Sequence, residues 1–240
     1  MFMPDMPDAI VLCGGAGLRL RSVTANAPKS MAGIGGRPFL ELLLRQLGRS
    51  GFERVILAVG YQSDAIREYF GARAFGLDVA YSTEAAPLGT GGAVRNAAGL
   101  VASQYVLIMN GDSYTDTDLR EFVAGHLGSG ADASVLVVPI DDRGDCGTVE
   151  IAPDGRLTRF MEKQGGAGAG HLNAGIYMAS RQILCDIPPG QVSLEREVFP
   201  RWLGEGRDIR AFVWPGTCVD IGTPERYWSA QELLGNVEAG

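Results

Sequence analysis

Short, wholly apolar runs alternate along this chain with segments whose apolar residues return at helical spacing. Ile10, Val11 and Leu12, and then Arg54 to Val59, read as buried strands. Between them, Phe39, Leu40, Leu43, Leu44 and Leu47 lie on one face of a helix predicted over Pro38 to Arg49, with the proline in the first turn. Ser63 is placed to cap a helix running to Phe70. Strands follow at Leu77 to Ser82, Tyr105 to Met109 and Ala133 to Pro139, separated by helices from Gly92 to about Leu100 and from Asp118 to about Leu127. Strands alternating with helices predict an α/β fold: a mostly parallel sheet with helices on both faces, and ligands gathered at the carboxyl ends of the strands.

Beyond Pro139 the rhythm changes. Short strands at Gly147 to Ile151, Leu157 to Met161 and Leu172 to Ala179 are joined by turns such as Pro153-Asp154-Gly155, which predicts a small antiparallel addition able to cover the open site. A strand near Ala211 to Val213 leads to Cys218-Val219-Asp220-Ile221-Gly222, and Thr223 caps a last helix with Pro224 at its first position. At 240 residues one domain is expected over 1–240. Its parts are a first half at about 9–140, a second at about 141–222 and a closing helix over 223–240.

The first strand ends in Cys13-Gly14-Gly15-Ala16-Gly17, followed by Arg19, Arg21 and Pro28-Lys29. Such a loop bares its backbone N–H groups and carries cations, as a polyphosphate site requires. It is not a P-loop, for no lysine follows the glycines directly, and it is not a dinucleotide fingerprint, for Leu20 stands where a third glycine belongs. A tight strand-to-helix turn with incidental arginines is the plainer reading of the loop alone. The chain has only two lysines, Lys29 and Lys163, against 19 arginines, so a lysine is expected where a compact ammonium meets phosphate oxygen. Asp112, after Asn110-Gly111, and Asp220 each follow a strand, and two carboxylates converging there would make an oxygen-ligand site for Mg²⁺. Either alone is equally a turn aspartate.

Composition narrows the classes. A net charge of −7 argues against nucleic-acid partners and means that an anionic substrate must be met by local cations. The four cysteines form no C-x-x-C pair and the two histidines stand alone, which points away from zinc and toward free thiols in a reducing cytosol. The opening MFMPDMPD has no signal-peptide character, and no apolar run reaches the roughly 18 residues of a membrane span, so a cytoplasmic protein with no membrane partner is expected.

Taken in order, these motifs resemble the signature of the sugar-phosphate nucleotidyltransferases. They are Leu12-Cys13-Gly14-Gly15-Ala16-Gly17-x-Arg19-Leu20 with Pro28-Lys29, Pro87-Leu88-Gly89-Thr90-Gly91-Gly92-Ala93, Asn110-Gly111-Asp112, Gly147-Thr148-Val149, Glu162-Lys163, Asn173-Ala174-Gly175-Ile176-Tyr177 and Val219-Asp220-Ile221-Gly222. The match runs from about residue 9 to 230. Leu18, where the family often has threonine, and Ser30, where proline is usual, depart from it. The resemblance implies a Rossmann-like three-layer αβα nucleotidyltransferase fold of GT-A type, with residues 9–140 as its nucleotide-binding half and 141–222 as its sugar-phosphate half. It also implies that a sugar 1-phosphate oxygen attacks the α-phosphorus of a nucleoside triphosphate and expels pyrophosphate.

By the same resemblance Arg19, Lys29, Asp112, Lys163 and Asp220 are the catalytic set, with Mg²⁺ on Asp112 and Asp220. The nucleotide would be held by Leu12, Gly14, Gly15, Ala16, Gly17, Glu84, Pro87, Leu88, Gly89, Thr90 and Gly111. The sugar phosphate would be held by Gly147, Glu162, Lys163, Asn173 and Gly175. Within the family the chain is most similar to guanylyltransferases, so GTP and a heptose 1-phosphate are the expected substrates, with mannose 1-phosphate or a uridylyltransferase specificity as alternatives. Self-pairing into a homodimer is compatible with the apolar helices. The competing class is a glycosyltransferase, since Asp116-Thr117-Asp118 matches an Asp-x-Asp metal motif, although Asp118 also suits a helix cap.

Overall fold

The computed structural model describes residues 6–15, 17–20, 23, 27–161 and 167–235. Its centre is four parallel strands in the order β7(Tyr105–Asn110)-β1(Asp8–Leu12)-β4(Arg54–Val59)-β6(Leu77–Thr83). Parallel strands buried on both faces need apolar residues at every position, which is why Val55, Ile56, Leu57, Ala58 and Val59 are all fully buried. In β1, Ala9 and Val11 point to one core and Ile10 to the other.

One face is covered by α1(Phe39–Arg49), whose Phe39, Leu40, Leu43, Leu44 and Leu47 are fully buried, and by α4(Leu119–Ser129). The other is covered by α3(Gly89–Ala98), which buries Ala93, Val94 and Ala97. The short helix α5(Arg181–Leu184) and the segment 194–204, a π-helical turn at Leu194–Val198 running into α6(Phe199–Gly204), pack on that second face. A strip of glycine and alanine lets α3 approach closely, and the chain comes so near that a Cβ on Gly92 would meet Gly190 O at 2.2 Å.

The antiparallel addition extends this same sheet. β12(Gly170–Ser180) pairs antiparallel with β7 and with β9(Ala133–Ile140), then bends away to meet β10(Thr148–Ile151), which pairs with β11(Leu157–Met161). The bend is a register shift between Asn173 and Tyr177. Gly175 sits inside it at φ +72°, a conformation that favours glycine, and a Cβ there would strike Asn110 Nδ2 at 2.5 Å. β13(Ile209–Val213) lies parallel to β9.

Two expectations are corrected. Ser63 does not cap α2(Ser63–Phe70) but opens it; the cap position is Gln62, at φ +50°, and no side chain bonds the free amides there. The helix after Pro87-Leu88 begins at Gly89 rather than beyond Gly92. Two-residue strands β2(Gly33–Ile34), β3(Arg37–Pro38) and β5(Arg73–Ala74), and the ladder between β8(Ser113–Thr115) and β14(Cys218–Asp220), carry no periodicity and were not expected.

Thr223 and Asp118 both cap as the sequence indicates. Thr223 Oγ1 accepts from Arg226 N at the start of α7(Pro224–Leu234), and Asp118 Oδ1 accepts from Arg120 N at 2.9 Å and from Glu121 N at 3.4 Å. Asp118→Ala strands those amides, and urea denaturation should show a loss of about 1 kcal/mol.

Candidate active site

The carboxyl ends of β1 and β7, the start of α3 and the β8–β14 ladder enclose a crevice with two adjoining cavities. The first, about 320 Å³, is bounded by Leu12, Cys13, Gly14, Gly15, Glu84, Pro87, Gly111 and Gln191. The second, about 500 Å³, is bounded by Arg19, Cys146, Gly147, Leu172, Asn173, Ser193, Glu195, Arg196, Asp220, Gly222 and Arg226. Lys29, Gly89, Thr90, Asn110 and Asp112 line both and form the seam between them.

The seam is built around an ion pair between Lys29 Nζ and Asp112 Oδ2. Gly17 backs it: a Cβ there would sit 2.8 Å from Lys29 Cβ, so a side chain would displace the lysine. Asp112 ends the β7 turn, and Gly111 N donates to Leu12 O at 3.0 Å, tying that turn to β1. The β8–β14 ladder sets Asp220 opposite Ser113, and Ile221 N donates to Asp112 O at 3.0 Å. The two aspartates therefore converge as expected. Asp220 Oδ1 accepts from Gly222 N at 2.7 Å, and Asp220 Oδ2 accepts from Arg226 Nη1 at 2.8 Å. Arg226, on the first turn of α7, also donates to Asp145 O at 3.1 Å.

In the first cavity Glu84 stands beside the glycine loop. Its Oε2 accepts from Leu88 N at 3.0 Å, and a Cβ on Gly14 would lie 2.6 Å from Oε1. Burial raises the Glu84 carboxyl above its ordinary value, partly offset by the Leu88 N–H. The first amides of α3 are engaged, since Gly91 N and Gly92 N donate to Val192 O at 2.8 and 3.2 Å. The Pro87–Gly92 segment is thus clamped to the chain at 192 rather than left as a phosphate nest.

In the second cavity Asn173 N donates to Gly147 O at 3.0 Å, which brings two of the expected sugar-side positions together. Gly175 lines neither cavity; it supports Asn110 from behind. Leu88 contributes its amide rather than its side chain. Ala16, Glu162 and Lys163 lie outside the described residues. Sequence reasoning missed Glu195 and Arg226, which bear charge into the crevice from a π-turn and a surface helix.

Asp116-Thr117-Asp118 is elsewhere, on a separate cavity of about 220 Å³ with Leu42, Arg49 and Tyr114, sharing no lining residue with the crevice. With Asp118 committed to capping α4, this motif has the structural role.

A family model for nucleotidyl transferases matches residues 8–236. The chain belongs to the nucleotidyl transferase family. It is 36% identical to D-glycero-alpha-D-manno-heptose 1-phosphate guanylyltransferase of Aneurinibacillus thermoaerophilus, over 95% of this chain and 98% of that one. It is 38% identical to mannose-1-phosphate guanylyltransferase of Mycobacterium tuberculosis over 92% of this chain, but spans only 62% of that relative's length. Among solved structures it superimposes on HddC from Yersinia pseudotuberculosis with a TM-score of 0.86 at 34% identity, covering 95% of this chain and all of that one. The same protein complexed with GMP-PN gives a TM-score of 0.85.

Cys13, in the nucleotidyl transferase glycine loop, is 3% exposed, and burial pushes its thiol well up, only partly opposed by the Ser30 hydroxyl. Cys185 is exposed. Iodoacetamide at pH 8 should therefore label Cys185 in the folded protein and leave Cys13 unmodified until denaturant is added, as peptide mass spectrometry will read.

Proposed function

We propose that this nucleotidyl transferase joins GMP from GTP to a sugar 1-phosphate, D-glycero-α-D-manno-heptose 1-phosphate first among them, and releases pyrophosphate. The relatives that it matches over nearly their full length support the reaction and the heptose. Glu84 supports the base and is the observation that carries the proposal. Guanine alone presents two adjacent donors, N1–H and N2–H₂, on one edge, whereas adenine and cytosine pair a donor with an acceptor and uracil and thymine offer a single N–H. An ionised carboxylate accepts only, and Oε1 of Glu84 faces the glycine loop in the smaller cavity.

The attacking sugar phosphate is already ionised, so no general base is needed, and rate comes from alignment and charge neutralisation. Lys29, at the seam, is the cation able to turn from Asp112 to a phosphate oxygen of either substrate. Arg19 meets the phosphates from the mouth of the larger cavity, and the loop amides of Gly14 and Gly15 from the smaller. Asn173 and Gly147 receive the sugar, with Glu162 and Lys163 assigned there by their place in the motif order.

Asp112 and Asp220 fit a divalent cation of the Mg²⁺ class. Both are hard oxygen donors about one-third exposed on the wall of the larger cavity, and Asp112 Oδ1 is engaged only weakly, accepting from Ser113 Oγ at 3.3 Å. Bound there with the triphosphate, Mg²⁺ would neutralise charge on the phosphates. A nucleotide-activated heptose is the donor that a glycan-building glycosyltransferase consumes, in capsule or lipopolysaccharide, which places the reaction in the cytoplasm, where GTP is.

Pyrophosphate release with Mg²⁺ decides the reading, crossing GTP, UTP, dTTP, CTP and ATP with heptose, mannose, glucose and N-acetylhexosamine 1-phosphates. Release with GTP and the heptose phosphate is expected, and no release from any pair by the folded protein would overturn it. Glu84→Gln puts a donor against the guanine donors and should lower kcat/KM for GTP about 100-fold, with a smaller effect on ATP or CTP. Because burial keeps Glu84 protonated to higher pH than an ordinary glutamate, the wild-type KM for GTP should rise on acidification from above pH 4.5, a dependence that the variant lacks.

A further inference from the structure

A hydrogen-bonded relay runs through the wall shared by the two cavities, and its centre is Glu195 on the π-helical turn. Glu195 Oε2 accepts from Thr90 Oγ1 at 2.8 Å and from Ser193 Oγ at 3.0 Å, while Oε1 accepts from Tyr177 OH at 3.1 Å. Thr90 Oγ1 in turn accepts from Leu194 N at 2.8 Å, and Tyr177 OH accepts from Asn173 Nδ2 at 2.9 Å. Asn173 Oδ1 accepts from Gly175 N at 3.0 Å. Every donor and acceptor in this chain has one consistent polarity, and only an ionised carboxylate at 195 accepts from three hydroxyls at once.

We infer that Glu195 is a positioning residue for the sugar phosphate, acting through the Tyr177 hydroxyl to fix which way the Asn173 amide faces. This rests on the reading of the larger cavity as the sugar site. Tyr177 is fully buried, so its hydroxyl does not reach substrate, whereas Asn173 lines the cavity. With Oδ1 held by Gly175 N and one Nδ2 hydrogen held by Tyr177, the remaining Nδ2 hydrogen is a fixed donor for a sugar hydroxyl oxygen. An amide free to turn would present either polarity and lose that selectivity.

Glu195→Gln keeps the shape and breaks the polarity. The new amide turns its oxygen to Thr90 and Ser193, because the opposite orientation strands two hydroxyl donors instead of one. Its NH₂ then faces the Tyr177 hydroxyl, which must give its proton elsewhere, and Asn173 Oδ1 takes it once the Asn173 amide has turned over. Tyr177→Phe removes the same link while keeping the ring that packs on Phe199.

The test is steady-state kinetics with GTP and heptose 1-phosphate, on the wild type, E195Q, Y177F and the double variant. The expected result is that each single variant raises KM for the sugar phosphate about tenfold while KM for GTP stays within about twofold. The double variant should be no worse than either single one, because the effect of Glu195 passes through the Tyr177 hydroxyl. An unchanged sugar-phosphate KM in E195Q overturns the inference. So does a rise in E195Q with none in Y177F, which would mean that Glu195 touches the sugar itself, and so do additive losses in the double variant. A wild type that releases no pyrophosphate with any sugar phosphate refutes the functional reading instead, and the positioning role with it.

Discussion

The short ladder between β8 and β14 is the constraint on which the crevice depends. It lies outside the main sheet and sets Asp220 opposite Ser113, next to Asp112. Two carboxylates brought to one crevice repel, and the arrangement holds because each has its own cation, Lys29 on Asp112 and Arg226 on Asp220. Lys29 comes from the glycine loop after β1 and Arg226 from the last helix, so these contacts also tie the beginning and the end of the fold across the site.

The two cavities hang from opposite sides of that seam. The smaller is formed where parallel strands end and a helix begins, the usual ligand position in such sheets. The larger exists because β12 runs antiparallel beside β7 and then bulges at 173–177, carrying Asn173 away from β7 and toward Gly147. Gly175 makes the bulge possible at the place where Asn110 approaches most closely. One glycine thus couples the end of β7 to the wall of the larger cavity.

Long elements were legible in the sequence because burial imposes a period on them. The five apolar positions of α1 and the unbroken run of β4 matched the structure to within a residue, and Thr223-Pro224 marked α7. Three-residue strands impose no period, and the partner of β8 is far along the chain, so the ladder was invisible although both aspartates in it were singled out. The rarity of lysine singled out Lys29, which stands at the seam of the two cavities. The companion idea, that arginine serves wherever a surface cation would do, hid Arg226, whose forked guanidinium bonds a carboxylate and a carbonyl together as an ammonium could not with the same geometry. Asp220 keeps the turn role that the sequence allowed, one oxygen accepting from Gly222 N, while its other oxygen faces an arginine in the crevice. Glu195 was illegible because its meaning lies in three hydroxyls drawn from three separate segments.

The charge of the crevice bears on how a protein of net charge −7 receives a polyanion. Among the described residues that line it, Lys29, Arg19, Arg196 and Arg226 stand against Glu84, Asp112, Glu195 and Asp220, so the walls are close to neutral rather than basic. A bare triphosphate gains little from entering such a site, because Lys29 and Arg226 are already paired with Asp112 and Asp220. Under the proposed assignment of a divalent cation to Asp112 and Asp220, a triphosphate arriving with its metal would change the exchange: those carboxylates would gain a stronger partner, leaving Lys29 and Arg226 to turn toward phosphate oxygens. On that reading a nearly neutral crevice would favour the polyanion that brings its own counterion over polyanions in general.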